Sequence, residues 1–231
     1  MAGLTHLSGK SLLNVYTGLS SLWTWATKEG LCAVHVMRKI SPPRPEQTII
    51  QPLSVDEIRR LLGRLNRNKE RNRAMILFLL DTGVRASELI NIKVADLNDT
   101  QVKVLGKGSK MRNVPVSRRT LQAILAYLGT RPGITMKSHL FISTTGKPFT
   151  RHMLRNMLAR LGDRAGVANV HPHRFRHTFA INFLLNGGDA LTLQEILGHS
   201  TLDMVKIYVQ ITSKDIVAIH NRASPVDNLR L

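Results

Sequence analysis

Pro42, Pro43, Pro45 and Pro52 crowd the stretch from Ser41 to Pro52, and no other feature constrains the fold of this chain so strongly. Each proline fixes φ and removes an amide donor, so a helix cannot run through the segment. The stretch reads as an extended linker over 41–52, with a domain boundary there. Before it, Leu12, Val15, Leu19, Leu22, Trp23 and Ala26 recur at helical spacing. That spacing predicts one helix over 11–29, stopped by Gly30, too small by itself to enclose a core.

After the linker the pattern changes. Ser54-Val55-Asp56-Glu57 fits a capping box and opens a helix. A second helix is expected over 72–80, broken at Asp81-Thr82-Gly83, and a third over 86–92. Segments 101–105 and 112–116 are rich in valine and alternate. They flank Gly106-Lys107-Gly108-Ser109-Lys110, which predicts a β-hairpin with a basic, glycine-bearing turn. Residues 141–143 are expected to add a third short strand. Beyond Phe149 the chain reads as helices over 151–164, 173–186, 193–197, 201–209 and 213–222. The expected class is α+β, mainly helical, with a small antiparallel β-sheet and a partial helical domain in front.

Charge narrows the partners. Lys and Arg number 33 against 15 Asp and Glu, a formal charge of +18 spread along the whole chain. Such an excess costs self-repulsion in a folded domain, and a polyanion, above all nucleic acid, is the natural counterweight. A membrane surface fits less well, because no long basic amphipathic helix stands out. The longest apolar run, 74–80, is too short to cross a bilayer. Cys32 is the single cysteine, so there is neither an internal disulfide nor a zinc framework. No signal-peptide pattern opens the chain. A soluble protein of a reducing, cytoplasmic compartment is expected, associated with the nucleoid.

The chemistry-bearing residues concentrate late. His171-Pro172-His173-Arg174-Phe175-Arg176-His177 precedes Leu197-Gly198-His199 and then Tyr208, while Gly83-Val84-Arg85-Ala86-Ser87-Glu88 lies upstream. His173 and Arg176, three apart on a helix that starts with Pro172, share a face. Phe175, Phe179, Phe183 and Leu184 should be buried on another side. Arg85 near a helix start offers a guanidinium and backbone amides to an anion. Glu88 is placed to orient a catalytic partner, and Thr192 with Glu195 fits a second capping box.

These residue types suit attack on a phosphodiester. Two arginines and a histidine can stabilise the charge that gathers on non-bridging oxygens. A tyrosine hydroxyl can attack once a base or positive field activates it. The departing 5′ oxygen needs a general acid, and Lys107 can serve. A covalent phosphotyrosine would conserve the bond energy and allow rejoining without ATP. Nothing in this chemistry requires a metal or cofactor, and no acidic cluster or Walker-type loop offers a site for one.

Thr82-Gly83-Val84-Arg85-Ala86-Ser87-Glu88-Leu89, Gly106-Lys107-Gly108-Ser109-Lys110, His173-Arg174-Phe175-Arg176-His177-Thr178-Phe179-Ala180 and Leu197-Gly198-His199-Ser200 with Tyr208 resemble the tyrosine recombinase (phage integrase) family, in the style of its Xer-like members. The resemblance spans about 52–211 and lies in the order Arg, Lys, His-x-x-Arg, Gly-His, Tyr. It implies a site-specific recombinase or integrase acting on double-stranded DNA. Arg85 and Arg176 would clamp the scissile phosphate, and Lys107 would protonate the leaving 5′ hydroxyl. His173 would be acid and base toward the tyrosine, His199 would hydrogen-bond a phosphate oxygen, and Tyr208 would form a 3′-phosphotyrosyl link. The resemblance further implies a homotetramer on DNA, with a C-terminal segment, Asp215 to Arg222, lent to a neighbour.

The family places a multi-helix core-binding domain before its linker. Here about 40 residues precede it, and Tyr16 through Trp25 to Gly30 resemble that domain's tail. The expected organisation is a partial core-binding segment at 1–40, a linker at 41–52 and a catalytic domain at 53–231. The alternative function is a DNA-binding remnant or regulator without autonomous strand exchange. A type IB topoisomerase shares the tyrosine chemistry but fits the His199 position less well. A metal hydrolase on His171, His173 and His177 fits poorly, since Arg174 and Arg176 would repel a cation.

Overall fold

The computed structural model describes residues 7–44, 51–106 and 110–198. The chain divides into two compact units, Met1–Ile49 and Ile50–Leu231. In the first, helix α1 (Gly9–Lys28) begins two residues ahead of the expected 11–29, because the Ser8 hydroxyl accepts from the Ser11 amide and caps it there. A 3₁₀ turn follows at Val36–Lys39, and the Tyr16 phenol ties it down by donating to the Ile40 carbonyl at 3.0 Å. No side chain of α1 is buried, and Val15, Leu19, Leu22 and Trp25 are exposed. Both tryptophans, Trp23 and Trp25, and the lone Cys32 belong to this unit.

The second unit holds α2 (Val55–Gly63), α3 (Lys69–Thr82), α4 (Ala86–Asn91), strands β1 (Gln101–Leu105) and β2 (Met111–Pro115), then α5 (Arg118–Leu128), α6 (Arg151–Ala165), α7 (Pro172–Leu185) and α8 (Ala190–Leu197). β1 and β2 pair antiparallel, with Val104 opposite Arg112. The class is the expected one: mainly helical, with a small antiparallel sheet.

Helix α3 is the centre of the core. Its Met75, Phe78 and Leu79 are fully buried and pack with Ile124 of α5 and Phe175 of α7. Each such side chain contributes roughly 1.5–3 kcal/mol through removal from water. Phe78 meets Phe141 edge-on at 6.1 Å, and Tyr127 stacks on Phe141 at 5.8 Å. Arg174 locks α7 to the start of α2, donating to both Glu57 oxygens at 2.9 Å and to the carbonyls of Gln51 and Ala168. Burial raises the Glu57 pKa, but the Ser54 amide and Arg174 outweigh it and hold the group below the usual carboxylate range.

Three local expectations are corrected. Helix α5 occupies a stretch to which the sequence analysis assigns no element. Ser117 caps it, and Thr120, Ile124 and Tyr127 form its buried stripe. Segment 141–143 is not a strand; Ile142 makes one isolated bridge to Pro148. Its amide donates instead to the Tyr127 hydroxyl, and its carbonyl accepts from Arg71, so no ladder propagates. Helix α8 is capped not by a Thr192–Glu195 box but by Asp189, whose carboxylate accepts from the amides of Leu191 and Thr192. The Ser54–Glu57 box forms as expected. The expected helices 201–209 and 213–222 lie outside the described residues.

Candidate active site

Helix α7 begins at Pro172 and carries His173 and Arg176 on one side. Both line an open cleft of about 490 Å³, together with His171, Arg85 and two α6 arginines, Arg151 and Arg155. His173 is exposed at its rim. Arg176 is not on a solvated helix edge, being only 2% exposed. Its guanidinium donates to the Gly83 carbonyl at 2.7 Å and the Leu197 carbonyl at 2.8 Å. A buried arginine is tolerated when such carbonyls accept its hydrogen bonds, and it is thereby held in one orientation.

Arg85 sits at the N-cap of α4, one-third exposed. The helix-start anion site expected there is partly pre-empted, because its own amide already donates to Glu88 Oε2 at 2.8 Å. Its guanidinium donates to Glu88 Oε1 at 2.9 Å and, at longer range, to the carbonyls of Leu197 and Gly198. Glu88 is buried and accepts twice more, from both Nη atoms of Arg112 at 3.0 and 2.9 Å. Burial raises its pKa, yet the Arg112 hydrogen bonds and the Arg85 amide prevail and leave it below the usual carboxylate range. The sequence marks Arg112 only as the first residue of an expected strand, with no role in the site. It stands on β2, and its partners lie 24 and 84 residues away in the chain.

Gly83 ends α3 in a left-handed turn, φ +59°, between Phe179 and Leu197. A Cβ there would strike the Phe179 ring, so glycine is needed to bring α3, α7 and α8 together beneath the arginines.

The histidines differ in environment. The His171 Nδ1 accepts from the Arg174 amide, and burial, then Arg155 and Arg174, lower its pKa. His177 is buried behind His173, the rings 5.3 Å apart. Burial and its cationic neighbours push it down to about 4, so it is neutral at physiological pH. Among the described residues, no group of three or more His, Cys, Asp or Glu is placed to hold a metal ion, and no helix is long and apolar enough to cross a membrane.

Of the sequence-predicted site residues, Arg85, His173 and Arg176 line one cleft, with Glu88 beneath Arg85. Lys107, His199 and Tyr208 lie outside the described residues, as does 215–222. A model of the phage integrase family matches residues 51–215.

The chain belongs to the phage integrase family.

Within that family it is similar to tyrosine recombinases of the Xer type. It is 33% identical to tyrosine recombinase XerD of Mycobacterium tuberculosis (strain CDC 1551 / Oshkosh), across 91% of this chain and 73% of the relative. It is 30% identical to tyrosine recombinase XerC of Yersinia pestis, across 95% of this chain and 74% of the relative. The crystal structure of XerA recombinase superposes with a TM-score of 0.66 at 33% identity, covering 80% of this integrase-family chain and 68% of that one. The Tn1549 transposon integrase, solved with transposon right end DNA, gives a TM-score of 0.76 at 21% identity, covering 88% and 75%, a likeness of fold.

Proposed function

We propose that this chain is a site-specific DNA recombinase or integrase that cuts and rejoins double-stranded DNA through a 3′-phosphotyrosyl intermediate. The observation that carries the reading is the convergence of Arg85, Arg176 and His173 on one open cleft, with both arginines bound to the Leu197 carbonyl at the end of α8, two residues before His199 in the chain.

In this mechanism Arg85 and Arg176 hold the scissile phosphate, and His199 hydrogen-bonds a non-bridging oxygen. The charge developing on the phosphoryl oxygens thus meets donors already in place, which minimises reorganisation. The Tyr208 hydroxyl attacks phosphorus as His173 takes its proton. The P–O5′ bond breaks, and Lys107 gives its proton to the departing oxygen. Rejoining reverses each transfer: the 5′ hydroxyl attacks, its proton returns to Lys107, and His173 reprotonates the tyrosine. One P–O bond forms for each that breaks, so the route calls for neither a metal ion nor ATP. Glu88 orients Arg85.

The remaining organisation follows the same reading: a partial core-binding segment at 1–40, a linker at 41–52 and a catalytic domain at 53–231. On DNA the active species is a homotetramer in which Asp215 to Arg222 docks on a neighbour.

The test uses a pool of nicked duplexes with randomised arms. The wild-type chain should yield a detergent-stable protein–DNA adduct in the presence of EDTA, and Tyr208→Phe should yield none. Salt-dependent binding by the wild type with no adduct from any duplex would sink the proposal and leave a DNA-binding regulator.

A further inference from the structure

The Glu88 carboxylate accepts four hydrogen bonds, two at each oxygen: from the Arg85 amide, one Arg85 Nη and both Nη atoms of Arg112. Its acceptor capacity is thereby filled. On its other side Arg112 donates from Nε to the Ile196 carbonyl at 2.8 Å. One planar guanidinium therefore joins three elements: strand β2, which carries it, helix α4 through Glu88, and the last turn of α8. Only 12% of the Arg112 side chain is exposed, and it is absent from the cleft wall, so it is not placed to meet substrate.

Two glycines frame this guanidinium. A Cβ at Gly106 would lie 3.2 Å from its Nη1, and one at Gly198 would lie 3.1 Å from its Cζ, Nε and Nη1. Gly106 directly precedes Lys107 in the sequence, and Gly198 directly precedes His199. The backbone thus enters both of those segments from residues packed against Arg112.

We propose that Arg112 is a positioning residue for the reaction, acting through Glu88 on Arg85 and through Ile196 on the end of α8. The role rests on the recombinase reading for its chemistry and on the hydrogen-bond geometry for its structure. Lysine cannot replace it. A single ammonium lacks the planar fork that spans both carboxylate oxygens while a third N–H reaches a carbonyl on the far side. The arrangement also accounts for a buried acid beneath so basic a cleft: Glu88 binds two guanidiniums at once, so fixing one fixes the other.

Two measurements on Arg112→Lys test this. First, without DNA, side-chain NMR of the Arg85 guanidinium should show slow Cζ–Nη rotation in the wild type. In the variant it should show markedly faster rotation, at a temperature where circular dichroism reports both proteins folded. Unchanged Arg85 dynamics would overturn the proposal whatever the DNA results. Second, on a nicked duplex recovered from wild-type adducts, the adduct-forming rate at saturating DNA should fall about a hundredfold. The DNA concentration for half-saturation should stay within about twofold. A wild-type rate in the variant, or a loss confined to DNA affinity, would overturn it. If the wild type forms no adduct, the recombinase reading fails, and the NMR result still decides whether Arg112 holds Arg85.

Discussion

At the scale of single residues, burial and hydrogen bonding give neighbouring side chains of one type different properties. In His173-Arg174-Phe175-Arg176-His177 the two arginines face opposite ways. Arg174 fastens α7 to Glu57, while Arg176 binds the ends of α3 and α8 beneath the cleft. The two histidines part likewise, His173 exposed and His177 buried and neutral. His177 has a consequence for stability. Its folded pKa, about 4, lies below the ordinary 6.5, so as pH falls below 6.5 the unfolded chain gains a proton that the folded chain refuses. Stability is therefore lost progressively between pH 6.5 and about 4, by about 3 kcal/mol for this group. His177→Gln should flatten that part of the curve in urea melts taken across the range; an unaltered slope would refute the assignment. Glu57 and Glu88, with lowered pKa values, add losses only at lower pH, as acid protonates them. The local motifs made Arg85, Glu88, His173 and Arg176 visible in sequence. Arg112 was not, because no short-range pattern marks a residue whose partners are 24 and 84 positions away.

At the scale of elements, the site depends on how helices stop. Gly83 and Gly198, both left-handed, end α3 and α8, and their neighbourhood supplies the carbonyls that Arg85 and Arg176 bind. Gly83→Ala should cost about 1–3 kcal/mol from its positive φ alone, with the Phe179 contact adding to it. A calorimetric melt would check this; a shift smaller than that of a surface glycine such as Gly133→Ala, also at positive φ, would contradict the close packing. Helix α7 and the β1–β2 hairpin were legible because proline, glycine and alternating valines act locally. Helix α5 was not, since its stripe follows a strand without a break beyond Ser117. The Asp189 cap was overlooked because the Thr192–Glu195 spacing offered a box three residues too late.

At the scale of the molecule, two numbers govern behaviour: a boundary at 49/50 between compact units, and a formal charge of +18. The boundary falls between Pro45 and Pro52. The charge predicts that affinity for any duplex will fall steeply with salt, by about a thousandfold between roughly 50 and 200 mM. Fluorescence anisotropy with a labelled duplex of arbitrary sequence measures this directly, and a flat dependence would argue against phosphate contacts as the source of affinity.

The placement of the indoles on α1 makes the two units optically distinct. Trp23 and Trp25 both belong to Met1–Ile49, so tryptophan emission is a private signal of that unit, and a probe coupled to Cys32 reports from the same place. Far-ultraviolet ellipticity is dominated instead by the helices of the second unit. Followed together through one denaturation, the two signals test whether the units melt as one cooperative body, since only a shared transition makes the curves coincide.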